Sequence, residues 1–347
     1  MGRTLKIGVI GCGNWGGNHA RALADLGALG AVCDTDTARA VRLARETESR
    51  VLAVERVLDD PLIGGVVLAL PPALHPAVAR RALLAGKHVL VEKPMALDRA
   101  TAAELAHLAR ASGLVAMTGH VLRFHPAFER LEQMVAQEAL GALRHVETQR
   151  LGLGRFYHGV DVVWDVAPHD LSLVLALTQA PPARVHLEAT AILTEGSADT
   201  AHLHLAFDSG VSAHCHVSRL SHGRRERRLT AMCDHGTLVF DDAEPWGRKL
   251  MVHHHAIRRA AGAVIAVEAA APEFPAVAEG APLRAELAHF LGCIATGGPA
   301  RASFDEGLAV IEILDRMTAG SGTAHALHAA NLPEQALPVP GQARIRA

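Results

Sequence analysis

The sequence predicts an α/β protein in two parts: an N-terminal doubly wound parallel sheet, then an α+β domain with a large, mostly antiparallel sheet. Three observations carry this. Short apolar runs alternate with helical patterns over the first 120 residues. The first of these runs leads into a glycine-rich turn, Gly11-Cys12-Gly13-Asn14-Trp15-Gly16. Beyond residue 180 the pattern becomes a series of two-periodic segments. Alternating strands and helices imply a parallel sheet covered on both faces, and consecutive strands imply an antiparallel one. A length of 347 residues accommodates two domains, placed at residues 1–122 and 123–347.

Taken in order, the first strand is Leu5–Ile10, followed by a helix to Leu26. A strand at Ala31–Cys33, a helix at Ala38–Arg45 and a short strand at Val51–Val54 come next. The strand Val66–Leu70 ends at Pro71-Pro72, and the helix Pro76–Leu84 closes at Gly86, a residue suited to a left-handed terminus. His88–Val91 is a strand, Asp98 caps a helix to Ala111, and Val115–Thr118 is the next strand. A helix at Pro126–Gln137, a strand at Leu143–Leu151 and a helix at Val162–Leu177 open the second part. Strands are expected at Val185–Leu193, Ala201–Phe207, Val211–Ser218, Arg228–Cys233 and Thr237–Phe240. The Ala-, Gly- and Pro-rich stretch Ala256–Ala281 reads as a loop, and His253–His255 as an edge strand or loop. Helices at Pro282–Thr296 and Glu306–Arg316 precede a poorly ordered tail.

Composition excludes several functions. Half the residues are apolar, so the chain is not mainly disordered. The net charge is −2 and only 3% of residues are aromatic, which argues against nucleic-acid binding. There is no apolar run long enough to span a membrane, and the N-terminus lacks the pattern of a signal peptide. Five scattered cysteines without a CxxC fit reduced thiols and a cytoplasmic location.

Three motifs carry chemistry. Gly11-x-Gly13-x-x-Gly16 lies between a strand and a helix, the context in which such a turn holds a pyrophosphate on helix N–H groups in a Rossmann domain. Asp34 ends the second strand, where an acid accepts hydrogen bonds from ribose hydroxyls and repels a 2′-phosphate, favouring NAD. Glu92-Lys93-Pro94 follows a strand, at the sheet edge where open α/β sheets bind ligands. Lys93 is one of only four lysines among 34 basic residues. Its ammonium can stabilise a developing alkoxide or merely pair with Glu92. In Asp165-Val-Ala-Pro-His169-Asp170, the Asp and His stand four apart, one turn on a shared helix face. Pro168 places a helix start near Ala167, so the pair lies at a helix N-terminus. A histidine there suits proton transfer; an Asp cap beside a buried His is the competing reading.

Together these residues resemble the glucose–fructose oxidoreductase/inositol dehydrogenase/MocA family. The match includes Pro71-Pro72-x-x-His75 and Gly86–Pro94, and it extends over nearly the whole chain. Gly119-His120-x-x-Arg123-Phe124-His125-Pro126, Trp164–Ser172 and Asp241-Asp242-x-Glu244-Pro245 are similar to the UDP-N-acetylglucosamine and UDP-N-acetylglucosaminuronate 3-dehydrogenases of that family. The resemblance implies an NAD-dependent dehydrogenase of sugar carbinols, with Lys93, Asp165 and His169 around the reacting carbon. It places Gly11, Gly13, Asn14, Trp15, Gly16, Asp34, Pro71, His75, Glu92, Lys93 and Pro94 at the cofactor. Arg123, His125, Arg155 and Tyr157 become candidates for the substrate, and no metal is implied. Alternatives are an inositol or free-sugar dehydrogenase, and a non-catalytic NAD-binding regulator or sugar-binding protein. The complete Lys93/Asp165/His169 set argues against the last.

His202, His204, His214 and His216 fall on two segments joined by Asp208-Ser209-Gly210. A three-residue hairpin here pairs His204 with His214 and His202 with His216 on one face. Leu203, Leu205 and Phe207 then share the other face with Val211, Ala213 and Cys215. A zinc site and a polar subunit interface compete for the histidine face. The resemblance favours the interface, in a homodimer or homotetramer formed through this sheet.

Overall fold

The structure, a computed structural model, describes residues 5–154, 160–260 and 263–320. Six parallel strands form the first sheet: β1 (Lys6–Ile10), β2 (Leu29–Cys33), β3 (Arg50–Val51), β4 (Ile63–Leu68), β5 (His88–Glu92) and β6 (Ala116–Gly119). Their order is β3-β2-β1-β4-β5-β6. Chain order reverses between β1 and β4, and the carboxyl ends of the strands at such a point are where ligands bind. Val66, Val67 and Leu68 of β4 and Val89, Leu90 and Val91 of β5 are wholly buried, as continuous apolar strands covered on both faces require.

The covering helices are α1 (Asn14–Asp25), α2 (Thr37–Glu46), α3 (Val54–Asp59), α4 (His75–Leu84) and α5 (Arg99–Ser112). Asp98 caps α5 as expected, accepting from the Thr101 N–H at 2.8 Å. Gly86 follows α4 with φ +72°. The expected strand at Val51–Val54 is only Arg50–Val51, and Val54 instead opens α3. Six residues are too few to display a helical period, and their valines read locally as strand.

The second sheet has eight strands: β7 (Leu143–Leu151), β8 (Arg184–Thr190), β9 (Thr200–Ala206), β10 (Ser212–Ser218), β11 (Glu226–Cys233), β12 (Gly236–Asp241), β13 (Leu250–Ala260) and β14 (Ala263–Ala269). Their order is β14-β13-β12-β11-β7-β10-β9-β8, antiparallel throughout except for β7 with β10. The loop expected from Ala256 onward is therefore corrected, because β13 and β14 pair there. His253–His255 lie in a strand with neighbours on both sides, not at an edge. Strand pairing has overridden the weak β-propensity of an alanine-rich segment.

The histidine hairpin has the expected register. His204 faces His214, His202 faces His216, and the Phe207 N–H bonds the Val211 carbonyl at 2.9 Å. Gly210 takes φ +84°, the conformation that this turn demands of its last residue. The expected helix Val162–Leu177 is two helices, α7 (Val162–Asp165) and α8 (Ala167–Thr178), with α6 (Pro126–Ala136) before them. Pro168 sits in the first turn of α8, where its missing N–H does no harm; one continuous helix would have lost a hydrogen bond.

Two last helices tie the sheets together. On α9 (Pro282–Thr296), Leu287 and Phe290 join Ile7, Val9 and Leu23 in one buried cluster beneath the first sheet. α10 (Phe304–Gly320) pairs Glu312 with Arg99 of α5, while its Arg316 donates to the Pro182 and Ala183 carbonyls just before β8. The end of β5 is thus held near α7, where Lys93 reaches Asp165.

Candidate active site

The glycine turn is shaped by close backbone packing. A Cβ on Gly11 would lie 2.2 Å from the Ala69 carbonyl oxygen, and one on Gly16 only 1.7 Å from that of Gly11. Gly13 differs, since a Cβ there would meet nothing within 4 Å. It faces open space at the head of α1. That helix has no capping side chain and no acid in its first turn, so its leading N–H groups are free for an anion. A cleft of about 860 Å³ runs past Gly13, Asn14, Trp15, Arg39 and Arg42. At its side Asp34 accepts from the Cys12 N–H (2.6 Å) and the Asp36 N–H (2.8 Å), leaving carboxylate lone pairs for ribose hydroxyls. The uncapped helix, the open Gly13 and the acid at the end of β2 fit a dinucleotide. Pro71 lies exposed after β4, on the loop whose Ala69 packs against Gly11 and Gly16.

At the end of β5, Glu92 does not pair with Lys93 through their charged ends. Its carboxylate accepts from Nε2 of His19, a wholly buried α1 side chain, at 2.7 Å. Burial pushes the Glu92 carboxyl up, but His19, Lys93 and His75 outweigh it and hold the group below its ordinary range. His75 donates from Nδ1 to the Pro94 carbonyl (2.9 Å), tying α4 to the Lys93-Pro94 turn, whose peptide bond is cis.

Lys93 crosses instead to the second part of the chain. Its Nζ donates to Oδ1 of Asp165 at 2.9 Å and to the Asp165 carbonyl at 2.6 Å. Asp165 ends α7 and His169 lies in the first turn of α8, so the two do not share one helix; both flank the break at Val166. The His169 Nδ1 is buried without a hydrogen-bond partner among the described residues. Burial, then the charges of Lys93, Arg150 and Arg227, push this imidazole well below its usual value. It is neutral at neutral pH and can accept a proton. His120 is likewise buried, with neither ring nitrogen partnered among the described residues, and burial beside Arg123 lowers it to about 3.

Two expected substrate residues are turned to structural work. Arg123 is buried in ion pairs with Glu306 (2.9 Å) and Glu132 (3.6 Å). His125 caps α6 through Nδ1, reaches Asp242 with Nε2 at 3.4 Å and stacks on Trp246. A residue before a helix-opening proline is a cap position, and in isolation this signal does not separate a cap from a ligand contact. Arg155 and Tyr157 lie outside the described residues. Sequence reasoning missed His19 and Glu286 near Glu92, and Arg150 and Arg227 near Asp170, which strand register and helix packing bring into place. Among the described residues no group of three or more His, Cys, Asp or Glu is arranged to hold a metal ion.

Residues 5–120 match the model of the oxidoreductase family with an NAD-binding Rossmann fold, and residues 128–239 match the GFO/IDH/MocA C-terminal domain. The chain is 32% identical over 297 residues to the UDP-N-acetylglucosamine 3-dehydrogenase of Acidithiobacillus ferrooxidans, covering 85% of this chain and 90% of that protein. A solved structure of that dehydrogenase superposes with a TM-score of 0.81 at 30% identity, over 93% and 99% of the two chains. A third relative, the inositol 2-dehydrogenase of Acidothermus cellulolyticus, is 31% identical over 50% of this chain and 53% of its own length. The chain belongs to the Gfo/Idh/MocA family of oxidoreductases. It is an NAD-dependent dehydrogenase acting on CH–OH groups.

Glu286 of α9 is wholly buried, and neither carboxylate oxygen has a hydrogen-bond partner among the described residues. Burial, and then the Glu92 charge, hold this acid well above its ordinary range. The neutral form is the one folding favours. Its contribution is therefore complete below the usual carboxylate range and is lost as pH rises through the raised value. Glu286→Gln should raise the melting temperature more at about pH 8 than at about pH 5. An equal shift at both, or a fall at the higher pH, would contradict this.

Proposed function

We propose that this protein interconverts a carbinol and a ketone on a nucleotide-linked sugar, with Lys93, Asp165 and His169 as its catalytic residues. The observation that carries this is the pairing of Lys93 with Asp165 beside a neutral His169. An ammonium has three N–H donors, and Asp165 takes two of them. The third is left for the carbinol oxygen, where it stabilises developing alkoxide charge. His169 takes the hydroxyl proton, and Asp165 balances the charge of Lys93. When bound, NAD supplies the hydride acceptor. Gly11, Gly13, Asn14, Trp15 and Gly16 would hold its pyrophosphate end and Asp34 its ribose, while His75, Glu92 and Pro94 set the turn that carries Lys93. Similarity to a UDP-N-acetylglucosamine 3-dehydrogenase supports the nucleotide-sugar class.

We also propose a cytoplasmic homodimer or homotetramer. Five buried, unpaired thiols support the compartment. The face carrying His202, His204, His214 and His216 supports subunit contact. Its rings stack 4.1–5.4 Å apart instead of converging on a point. Burial and neighbouring imidazoles lower His214 and His216, whereas Glu147 opposes this at His214. Neutral rings are favoured in this arrangement, so any association through the face weakens as pH falls below the usual histidine range.

A panel of UDP-N-acetylhexosamines, free sugars and myo-inositol, followed by NADH absorbance, tests the substrate class. Turnover of the UDP sugars is expected. Turnover of myo-inositol alone would make the enzyme an inositol dehydrogenase, and silence from every sugar despite NAD binding would point to a regulator. Lys93→Met should lower kcat by about 10²–10³-fold while NAD still binds, the usual effect of deleting one oxyanion donor; an unchanged kcat would remove Lys93 from the mechanism. Sedimentation near pH 8 and pH 5.5 should show a smaller species at the lower value. The same size at both would dissociate the histidine face from assembly.

A further inference from the structure

We infer that Arg227, with Arg150 opposite it and Arg225 two residues before it, forms an anion subsite beside His169, and that it receives the diphosphate of the substrate. The inference rests on the nucleotide-sugar reading above. It starts from strand register: antiparallel pairing of β7 with β11 sets Arg227 directly opposite Arg150. Two and four residues further along, the same face pairs Leu229 with Thr148 and Ala231 with Val146, all but fully buried. The arginines thus continue the core face at the end where it reaches α8. Like charges directly opposed across two strands are destabilising unless something answers them.

Arg150 is answered within the protein. Its Nε and Nη2 both donate to Oδ1 of Asp170 (3.0 and 2.7 Å), the residue after His169. Arg227 is not answered in the same way. Among the described residues its one acceptor is Oδ2 of Asp242, at 3.5 Å. The other oxygen of Asp242 already takes Lys249 at 3.0 Å and faces His125 at 3.4 Å. Around the site Asp165 matches Lys93, Asp170 matches Arg150 and Asp242 matches Lys249. Arg227 is left as surplus positive charge, with a side chain only 32% exposed. Exposed Arg225, two residues earlier, adds a second surplus charge at the mouth. Burial, followed by Arg225 and Arg150, makes the Arg227 guanidinium easier to deprotonate than usual, as expected of a desolvated cation without a full partner.

A planar guanidinium binds phosphate oxygens in a two-pronged fork. Two surplus charges match a diphosphate better than a single carboxylate. The position also suits the chemistry, because an anion here would offset the cations that depress His169 and make it a stronger base.

The test uses the full-length, NAD-loaded protein and calorimetric titration with UDP, uridine and glucuronate. UDP should bind at least about tenfold tighter than uridine, the scale of one charge-assisted hydrogen bond. Arg227→Gln should weaken UDP by a similar factor, and Arg227→Lys should recover part of the loss. With UDP-N-acetylglucosamine, Arg227→Gln should raise KM far more than it lowers kcat. NAD affinity should stay unchanged and the melting temperature should not fall, since a charge opposed to Arg150 has been removed, separating loss of a contact from loss of fold. Unchanged UDP affinity in Arg227→Gln overturns the subsite, and so does a loss confined to glucuronate, which would identify a carboxylate site. If UDP binding depends on Arg227 while no UDP sugar turns over, the subsite stands and the proposed reaction falls. If UDP-N-acetylglucosamine turns over with the same KM in the variant, the reaction stands and the subsite falls.

Discussion

The bond from Lys93 to Asp165 is the constraint on which the site depends. It joins the carboxyl end of β5 to the end of α7, linking the sheet that carries the glycine turn to the helices that carry His169. A lysine has a long, flexible stem, and holding its head against both a carboxylate and a carbonyl removes most of that freedom. The remaining N–H direction is then fixed by the tetrahedral ammonium. The same charge suppresses protonation of His169. One interaction therefore fixes the direction of the free ammonium N–H and adds to the burial that keeps the neighbouring imidazole neutral.

Around this pair the protein sets protonation states through burial more than through charge. His75, His120 and His169 are all lowered chiefly by desolvation. Glu286 is raised for the same reason. Glu92 goes the other way because His19 reaches it from α1. Neutral groups are the economical choice in such a region, since an isolated buried charge costs several kcal/mol. Arg227 departs from this pattern, and the departure is what marks it as a ligand contact.

Much of this was legible beforehand, for identifiable reasons. The glycine turn, Asp34 and the strand before Lys93 depend on local chain geometry, which neighbouring residues specify. The histidine hairpin was readable to the residue because a one-residue slip would have moved Leu203, Leu205 and Cys215 out of the core. Within the Ala256–Ala281 region, the part up to Ala269 was misread because its strands owe their existence to pairing, which composition does not display, while the rest is the loop expected. The internal partners of Arg123 and His125 were not legible, because a charged side chain looks the same in sequence whether it meets substrate or an ion-pair partner.

The sequence by itself determined the class of fold, the dinucleotide turn and the residue types available for proton and hydride chemistry, since these follow from local periodicity and backbone sterics. Tertiary structure alone decided which charges neutralise one another. It directed Lys93 to Asp165 and away from Glu92, gave Glu92 to His19, and opposed Arg150 to Arg227. Each outcome depends on distances between segments more than 70 residues apart in the chain. Electrostatic interaction is set by separation and burial, and neither is written into the order of residues along a strand or helix.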